Sequence, residues 1–387
     1  MKKINIAMAG WGTWWHVFPI ESLIEHIYKN PLYSEKIKKI VRFWKRNSLE
    51  KEVFLSIKEK YSWLTFQNIT SGKYRRETRF KSRMKNIVDL FKFVFWILQS
   101  VFYIIKHKID VVFCKWWYVA LPVVIAAKIL RKRILVHESD VRPWLVNKIA
   151  SKYANMIFTW FDLVLANSIT VGQILSDDIV TNQSIKNLPV ERVWQQEWRE
   201  LSIYEKLFYT DPSKTHLLVM WWSQGSKRLY QNLLNSIKQN PSIYKKYEIY
   251  LILWKENQYM RGDFDAFRNI HIFNFLTQKE MWLLLKYSDI SLTRAGTTSL
   301  AEQKLYNLKI VMVPIPRTHD QYDNAKFYVE KYQDILLDSK DANYSDKMLE
   351  IFDKYKTFKK EDVKSDLTSK VWLAKDKIIK WILNIDI

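Results

Sequence analysis

Glycine is scarce in this chain, and tryptophan is abundant. The 387 residues include 7 Gly and 18 Trp, whereas average usage of about 7% would give roughly 27 glycines. Three Trp-Trp doublets each follow a short apolar run and precede a helical pattern, a context in which glycine-rich loops bind phosphate through backbone amides. The doublets are Trp14-Trp15, Trp116-Trp117 and Trp221-Trp222. Indole side chains are too bulky for such loops.

We therefore hypothesise that many of these tryptophans are glycines in the encoded protein, because the codon UGA specifies Trp in some genetic codes and Gly in others. The alternative is a genuinely Trp-rich chain with three blocked loops. The codons at Trp14, Trp15, Trp221 and Trp222 distinguish the two readings: UGA supports the hypothesis, and UGG contradicts it.

Cysteine is almost absent, since Cys114 is the one cysteine of the chain. This excludes an internal disulfide and is typical of a reducing compartment.

Long apolar runs are also missing: the stretch 87–105 is interrupted by Asp89, Lys92 and Gln99, whereas a transmembrane helix needs about 20 predominantly apolar residues. The first residues, two lysines and a short β-like run, do not resemble a signal peptide.

Acidic residues are outnumbered, because 62 Lys and Arg stand against 40 Asp and Glu, for a net charge of +22. Such a chain attracts anions, but no nucleic-acid-binding motif is recognisable, so nucleic acid is not an expected partner. Basic residues concentrate at 73–92 and overlap the apolar stretch 87–105. This pattern predicts an amphipathic helix that lies on an anionic membrane; the alternative is an ordinary crossover helix with a wide buried face.

Apolar runs alternate with helical patterns in both halves of the chain, which predicts parallel sheets covered by helices on both faces. The expected fold class is α/β, with two doubly wound, Rossmann-like domains facing a cleft and ligands at the carboxyl ends of the strands. A stretch without clear periodicity, 184–213, contains Pro189 and Pro212 and marks the boundary. The predicted domains are 1–190, 191–362 and a terminal helix, 363–387, that we expect to pack back on the first domain.

Individual elements are predicted from the same periodicity. The predicted strands are 4–9, 39–44, 110–114, 134–138, 156–159, 163–166, 217–220, 248–253, 270–275, 289–293 and 310–314. The predicted helices are 17–29, 86–106, 118–130, 144–153, 227–238, 279–287, 297–305, 321–332, 344–356 and 363–383.

Polar and small residues follow three predicted strands. With Trp read as Gly, residues 10–16 become Gly-Gly-Gly-Thr-Gly-Gly-His, a specific loop that ends at His16 on a helix N-terminus, where the neutral imidazole is favoured. Residues 294–302 place a glycine, hydroxyls and amides at another helix start, which is typical of an anion site, and Glu302 can accept hydrogen bonds from a ribose. The loop 314–324 offers amides to sugar hydroxyls. Each motif alone is also explained by helix capping and turn chemistry.

Metal-binding patterns are lacking. Asp263-Phe264-Asp265 resembles an Asp-x-Asp triplet, but no strong strand leads into it, so we interpret it as a solvated loop. Histidines and carboxylates do not otherwise cluster at metal spacing. We therefore expect neither a metal ion nor an organic cofactor.

Together these motifs resemble glycosyltransferase family 28, the lipid-linked N-acetylglucosaminyltransferases of peptidoglycan synthesis, which have the GT-B fold. The resemblance extends from Ile4 to about Leu337, and its motifs are the loop that ends at His16, 116–119, 137–147, 221–225, 294–302 and 321–324. The tryptophans at family glycines are Trp11, Trp14, Trp15, Trp116, Trp117, Trp144, Trp221 and Trp222, and Trp44 and Trp254 are interpreted in the same way. Trp63, Trp96, Trp282, Trp372 and Trp381 cannot be assigned by this resemblance.

The resemblance implies roles for the matching residues. It implies that His16 is the catalytic base or orients the acceptor. The residues implied to bind the donor are Thr13, Ser223, Gln224, Gly225, Leu276, Arg294, Gly296, Thr297, Glu302 and Gln321. The residues implied on the acceptor side and near the cleft are Tyr118, His137, Glu138, Asp140 and Asn147, with Thr13 also lining this side. The chain departs from the family at Ser139, Asp140 and Asp320, where Gln, Asn and Gln are usual, and Arg192 is displaced by one position.

The reaction implied by the resemblance is an inverting transfer of GlcNAc from UDP-GlcNAc to the 4-hydroxyl of lipid I, the undecaprenyl-diphospho-MurNAc-peptide, which forms lipid II. A base removes the hydroxyl proton, and loop amides and helix N-termini stabilise the leaving UDP, so this interpretation requires no metal. The expected location is the cytoplasmic face of the cell membrane, as a peripheral protein bound to the anionic surface through 73–105.

Three alternatives remain open: a UDP-GlcNAc 2-epimerase, a related transferase with another lipid acceptor, and a non-enzymatic binding protein if the loop tryptophans are genuine. An epimerase would act on UDP-GlcNAc without an acceptor and would not need the basic and aromatic stretch. Titration with UDP tests the binding-protein alternative, because a site filled by Trp should not bind the nucleotide.

Overall fold

The computed structural model of the protein describes residues 3–10, 14–44, 61–69, 80–115, 120–142, 151–163, 165–179, 203–208, 210–221, 227–274, 276–316, 319–361, 365 and 367–385. The chain divides into two compact units, Met1–Asp177 with Ser369–Ile387, and Asp178–Thr368. It therefore passes from the first unit to the second after residue 177 and returns after residue 368. The boundary predicted at residue 190 lies outside the described residues.

The first unit contains a seven-stranded parallel sheet. Its strands are β1 Ile4–Ala9, β2 Ile37–Trp44, β3 Leu64–Asn68, β4 Val111–Lys115, β5 Arg133–Glu138, β6 Met156–Thr159 and β7 Ser168–Thr170. Its helices are α1 Trp14–Lys29, α2 Pro31–Ser34, α3 Phe80–Lys106 and α4 Ala120–Ile129, joined by the terminal helix α13, Leu367–Leu383.

The second unit contains a six-stranded parallel sheet. Its strands are β8 Thr215–Met220, β9 Tyr247–Ile252, β10 Ile270–Phe273, β11 Ile290–Thr293, β12 Lys309–Met312 and β13 Ile335–Leu336. Its helices are α5 Ile203–Phe208, α6 Lys227–Gln239, α7 Pro241–Tyr244, α8 Arg261–Asp265, α9 Gln278–Tyr287, α10 Thr297–Leu305, α11 His319–Tyr332 and α12 Tyr344–Lys354, with a 3₁₀ helix at Lys255–Met260.

The uninterrupted apolar strands are explained by helices on both faces of the sheet. In β1, Ile6 and Met8 pack with residues of α1 and α13, whereas Ala7 and Ala9 pack with residues of α3 and α4. Successive side chains of a strand point to opposite faces, so a strand buried on both sides is apolar at most positions. Full burial of each Ile or Met side chain contributes about 1.5–3 kcal/mol to folding.

The two sheets have the same topology. The first has the strand order 3-2-1-4-5-6-7, and the second repeats it as β10-β9-β8-β11-β12-β13, which is the doubly wound order of Rossmann-like domains. The predicted fold class is therefore confirmed for each unit. In this topology the connections leave the first strand in opposite directions, which creates a switch point between β1 and β4 and another between β8 and β11.

Two predicted local structures are wrong, and one strand was not predicted. Residues 163, 165 and 166 do not form a strand, because Asn167 adopts a left-handed turn with φ 55° and the strand begins at Ser168. The short edge strand β3 was not predicted, since four of its five residues are only half-buried. Asp263-Phe264-Asp265 lies in α8 and not in a loop, because Phe264 is buried in the core. Residues 143–150 of the helix predicted at 144–153 lie outside the described residues.

A polar cluster joins α1 to the two segments at which the chain leaves and re-enters the first unit, the segment at residue 177 and helix α13. The His26 ring places Nδ1 2.8 Å from Asp177 Oδ2 and Nε2 3.0 Å from Asp376 Oδ1. The Tyr33 hydroxyl also donates to Asp376, at 2.9 Å, and the Lys375 ammonium donates to Asp177. A neutral imidazole carries one N–H, so both histidine bonds form as donors only when the ring is protonated. Burial lowers the pKa of His26, but the hydrogen bonds to the two aspartates outweigh burial, and the pKa is raised.

We predict that His26→Gln lowers the free energy of unfolding by about 1–3 kcal/mol at pH 6 and by much less at pH 9. The pKa of His26 is higher in the folded chain than its ordinary value of about 6.5, so its stabilisation is complete below that value and is lost as the pH rises through the raised pKa. Urea denaturation at both pH values measures this difference.

The matched control is His107→Gln, because burial lowers the pKa of His107 and its protonation adds no stability. A loss of stability by His26→Gln that is equal at pH 6 and pH 9 would contradict this role of His26.

Candidate functional site

In sequence, the Trp doublets directly follow strands that flank the switch points of the two sheets. Because the strands are parallel, the loops that leave β1 and β4 start side by side, as do those that leave β8 and β11. The doublets Trp14-Trp15, Trp116-Trp117 and Trp221-Trp222 follow β1, β4 and β8, respectively. The fourth loop, 294–296, follows β11 and contains Gly296. These are the positions at which doubly wound sheets bind ligands.

Gly10 marks a very close approach of two strand ends in the first unit. A Cβ atom at Gly10 would lie 2.4 Å from the carbonyl oxygen of Lys115 and 2.7 Å from Cδ1 of Ile20, so no larger residue fits without movement of the backbone. The Arg42 guanidinium, which is fully buried on β2, donates to the carbonyl oxygens of Gly10 and Met8. The end of β1 is therefore fixed from both neighbouring strands.

A buried polar cluster lies beside this approach. The ammonium of Lys115, the last residue of β4, donates to Ser139 Oγ at 2.9 Å and to Gln173 Oε1 at 3.1 Å. Its Nζ is also 3.4 Å from Nδ1 of His137, whose Nε2 donates to the Gly172 carbonyl at 3.1 Å. Burial lowers the pKa of Lys115 to about 7, with Asp140 and Glu138 acting in the opposite direction.

The acceptor-side residues predicted on β5 are brought together but are not exposed. His137, Glu138 and Asp140 are all buried, and the Glu138 carboxylate accepts from the backbone N–H of Asp140 at 2.9 Å. Burial and the charge of Lys115 hold the pKa of His137 well below its ordinary value. His137 is therefore a neutral hydrogen-bonding group. The three residues are buried at the end of β5 and directly after it.

In the second unit, the start of α10 has the features of an anion site. Gly296 is the N-cap of this helix and provides no side-chain cap, and a Cβ atom at Gly296 would meet nothing within 4 Å. Arg294 Nη1 donates to the carbonyl oxygens of Val313 and Pro314, at 2.9 and 3.1 Å, and so joins the ends of β11 and β12. The N–H groups of a helix start and the helix dipole favour a negative charge at such a position.

Glu302 lies on the same helix and is buried. Its Oε1 accepts from the indole N–H of Trp282 at 3.4 Å. Burial raises the pKa of Glu302 to about 7, although hydrogen bonds from Trp282 and Gln278 oppose the shift. A carboxyl group that is costly to bury and close to an anion site is typical of a functional position.

The remaining donor-side residues have local partners. The Gln321 side chain, at the start of α11, accepts from the backbone N–H of Ile315 at 2.9 Å, which fixes the loop after β12. Leu276 is buried and directly precedes α9, where Thr277 and Glu280 form a capping box. Thr297 is the first residue of α10.

Several predicted site residues lie outside what the structure describes. These are Thr13, Tyr118, Asn147, Ser223, Gln224 and Gly225, together with the side chain of His16. The backbone of His16 is described and lies in the first turn of α1, as predicted.

Comparison with known proteins decides the family. Residues 6–159 match the glycosyltransferase family 28 N-terminal domain, and residues 216–376 match the family 28 C-terminal domain. The chain belongs to glycosyltransferase family 28. It is 28% identical over 385 residues to the UDP-N-acetylglucosamine–N-acetylmuramyl-(pentapeptide) pyrophosphoryl-undecaprenol N-acetylglucosamine transferase of Staphylococcus carnosus, an alignment that covers 93% of this chain and 95% of the relative.

Solved structures agree on the fold. The chain is similar to Acinetobacter baumannii MurG, with a TM-score of 0.62 and 17% identity over 99% of this chain and 100% of the other. It is also similar to the UDP-GlcNAc 2-epimerase of Neisseria meningitidis bound to UDP-GlcNAc, with a TM-score of 0.64 and 12% identity over 99% and 100% of the two chains. The predicted GT-B architecture of two Rossmann-like units is confirmed.

No described helix is both long and apolar enough to span a membrane. Within the same part of the chain, no group of three or more His, Cys, Asp or Glu residues is placed to hold a metal ion.

Of the eight tryptophans that match family glycines, Trp221 is the one whose side chain the structure describes. Its indole is buried in the core of the second unit, with its ring centroid 4.7 Å from that of Tyr230 on α6. Its N–H has no partner among the described residues, and the same holds for Trp96, Trp160 and Trp381. A buried indole N–H normally finds a partner, and an unsatisfied one costs about 1–3 kcal/mol. Glycine at position 221 would remove this cost, but the same cost at Trp96 and Trp381, which match no family glycine, means that the orphaned N–H does not distinguish the two readings.

The sequence did not reveal three residues of the first-unit switch point. Arg42, Lys115 and Gln173 lie on different segments, and only the fold brings two of them, Lys115 and Gln173, into contact. The sequence does contain one indication that Lys115 is unusual: this lysine ends an otherwise apolar strand directly before a Trp doublet.

We predict that Glu302→Gln stabilises the protein at pH 8 by about 1–3 kcal/mol. The pKa of Glu302 is higher in the folded chain than in the unfolded chain, so folding becomes less favourable as the pH rises from about 4.5 to about 7. The neutral amide removes this penalty, and the two proteins should differ little at pH 4. Urea denaturation measures the difference, and a Glu302→Gln protein that is less stable at pH 8 would contradict the predicted burial penalty.

Proposed function

We propose that the chain transfers GlcNAc from UDP-GlcNAc to the 4-hydroxyl of lipid I, with inversion at the anomeric carbon, and thereby forms lipid II. Family membership and relatives named for this transferase along nearly their whole length support the proposal. The chain would act as a peripheral protein on the cytoplasmic face of the cell membrane.

The observation that carries the donor side of the proposal is the switch point of the second unit. The uncapped start of α10 at Gly296 would receive the diphosphate of UDP, and Glu302, one and a half turns further on, would accept hydrogen bonds from the ribose. Of the residues that the structure describes, none accepts from Nε of Arg294. This leaves a buried donor that a ligand oxygen can satisfy.

The proposed chemistry is a single displacement. The base takes the proton of the acceptor 4-hydroxyl as its oxygen attacks the anomeric carbon, and the bond between that carbon and the diphosphate oxygen breaks. Negative charge then develops on UDP, where the N–H groups at the start of α10 stabilise it. His16, in the first turn of α1, is the candidate base or the group that orients the acceptor.

Helix α3 supports the membrane part of the proposal. Val94, Phe95, Leu98, Phe102 and Ile105 are between 52% and 62% exposed, and their spacing places them on one side of the helix. The opposite side packs into the core through residues that include Trp96 and Ile104. Features of both alternatives, a crossover helix with a buried face and a helix that lies on a membrane, are therefore present in α3. Its exposed apolar face follows the basic stretch 73–92 in sequence.

The experiment that tests the function is transfer of labelled GlcNAc from UDP-GlcNAc to a water-soluble lipid I analogue. It uses the glycine form, defined as the protein with Gly in place of Trp11, Trp14, Trp15, Trp116, Trp117, Trp144, Trp221 and Trp222. We predict transfer with inversion by the glycine form, and a loss of about 100-fold or more in kcat for His16→Ala. The matched control is His107→Ala, which changes the histidine that directly follows α3.

Two outcomes would contradict parts of this proposal. Turnover of UDP-GlcNAc without any acceptor would favour the 2-epimerase, whose fold the chain shares. Unchanged turnover by His16→Ala would reject the role of His16 and leave the transfer itself intact.

We also predict that exchanging Phe95, Leu98 and Phe102 for Ser weakens binding to vesicles that contain phosphatidylglycerol by at least tenfold, because burial of each such side chain contributes about 1.5–3 kcal/mol. Cosedimentation measures the binding, and transfer to the water-soluble acceptor should be unchanged. The control exchanges Leu32 and Leu373, which are 58% and 52% exposed elsewhere. Equal vesicle binding by the α3 variant and the control would contradict the membrane role.

A further inference from the structure

The start of α11 is joined to the loops that follow two strands of the second unit. Gln321 Oε1 accepts from the backbone N–H of Ile315, in the loop after β12, at 2.9 Å. Asn324 Nδ2 donates to the carbonyl oxygen of Ala295, in the loop after β11, at 3.4 Å. Both loops lie at the carboxyl end of the parallel sheet, which is the end at which doubly wound sheets bind ligands.

Tyr322 connects the same part of α11 to a third segment, which follows β13. Its hydroxyl donates to Asp338 Oδ1 at 2.6 Å, the length of a strong hydrogen bond to a carboxylate. The same oxygen accepts from the backbone N–H of Lys340 at 2.9 Å, so the acceptor is itself fixed. Burial and the bond to Asp338 raise the pKa of Tyr322 to about 12, so the hydroxyl keeps its proton and donates at neutral pH.

The segment after β13 is also joined to the start of α6. The Arg228 guanidinium, in the first turn of α6, donates to the carbonyl oxygen of Ser339. The Lys340 ammonium lies 5.5 Å from the centroid of the Tyr322 ring. Because α6 follows β8 and α11 follows β12 in the chain, this segment links two helices that both begin at the carboxyl end of the sheet.

The amide of Gln321 has one atom in use and one available. Its Oε1 is bonded to Ile315, which fixes the orientation of the amide. Among the described residues, none accepts from its Nε2, and the side chain is only half-buried. A fixed NH2 group provides two donors for the hydroxyl or carbonyl oxygens of a ligand.

We propose that Tyr322 is a positioning residue for the donor sugar, because its hydrogen bond to Asp338 fixes the start of α11 and thereby the NH2 group of Gln321. The inference rests on the proposed function, with Gln321 as the residue that binds the GlcNAc of UDP-GlcNAc. Tyr322 acts through Gln321 and makes no contact with the donor. UDP lacks the sugar, so its binding does not depend on this hydrogen bond.

The test compares the dissociation constants of UDP-GlcNAc and UDP, measured by isothermal titration, for the glycine form and its Tyr322→Phe variant. The substitution removes one hydroxyl and keeps the ring. We expect UDP-GlcNAc to bind about five- to tenfold more weakly and UDP to bind within about twofold of the glycine form, since one hydrogen bond contributes up to about tenfold to affinity. Equal changes for the two nucleotides, or no change for either, would overturn the inference.

A double-mutant cycle tests whether Asp338 is the partner. Asp338→Ala removes the acceptor, so we expect it to weaken UDP-GlcNAc binding as Tyr322→Phe does. The combined variant should bind no more weakly than either single variant, because both substitutions remove the same hydrogen bond. Additive losses would show that the two residues act separately, and the proposed positioning by this bond would be wrong.

Tyr247→Phe is the matched control. The Tyr247 hydroxyl also donates at 2.6 Å, to the carbonyl oxygen of Phe352, but Tyr247 is the first residue of β9 and lies at the amino end of the same sheet. We expect this variant to be less stable and to keep the ratio of the two dissociation constants. A merely structural Tyr322 would give the same result as Tyr247, which would reject its positioning role.

Failure of the proposed function gives a different result. If the glycine form does not bind UDP-GlcNAc, the proposed function and this inference both fail. If the glycine form transfers GlcNAc while Tyr322→Phe keeps both dissociation constants, the proposed function stands and this inference alone is overturned.

Discussion

The contact between Gly10 and the carbonyl oxygen of Lys115 is the constraint on which the first unit depends. Two neighbouring parallel strands end there so closely that an added Cβ atom would be 2.4 Å from that oxygen. The approach brings the carboxyl ends of β1 and β4 together at the switch point, with Arg42 on β2 and Lys115 on β4 beside them. A residue larger than glycine at position 10 would separate the strand ends, so the geometry of the switch point depends on this position.

Both units use costly buried charge at their switch points. In the first unit the lysine at the end of β4 is bonded only to neutral side chains, and in the second Glu302 has a pKa raised to about 7 by burial. Neither group improves folding, because burial disfavours the charged form of each. The proposed ribose hydroxyl groups would offset this cost at Glu302, whereas Glu138 and Asp140 favour the charged form of Lys115. The packed cores on both faces of each sheet provide the stability that offsets this cost.

The fold was largely predictable, because strands buried on both faces are apolar at most positions and helices separate them. Prediction failed where this signal is weak. The edge strand β3 is only half-buried, β7 is displaced by the left-handed turn at Asn167, and Phe264 anchors a short helix in a stretch that is otherwise polar. At the site, motifs around His16 and Glu302 were recognisable. The pairing of Lys115 with Gln173 was not, since 58 residues separate them and only the sheet order brings them together.

The central claim is that the loops at both switch points need glycine and that the encoded protein has it. Tandem mass spectrometry of the protein isolated from its native host, on peptides that contain residues 11–15, 116–117 and 221–222, tests this claim most directly. The account predicts glycine at Trp11, Trp14, Trp15, Trp116, Trp117, Trp221 and Trp222. Peptides that carry tryptophan at these positions would contradict it.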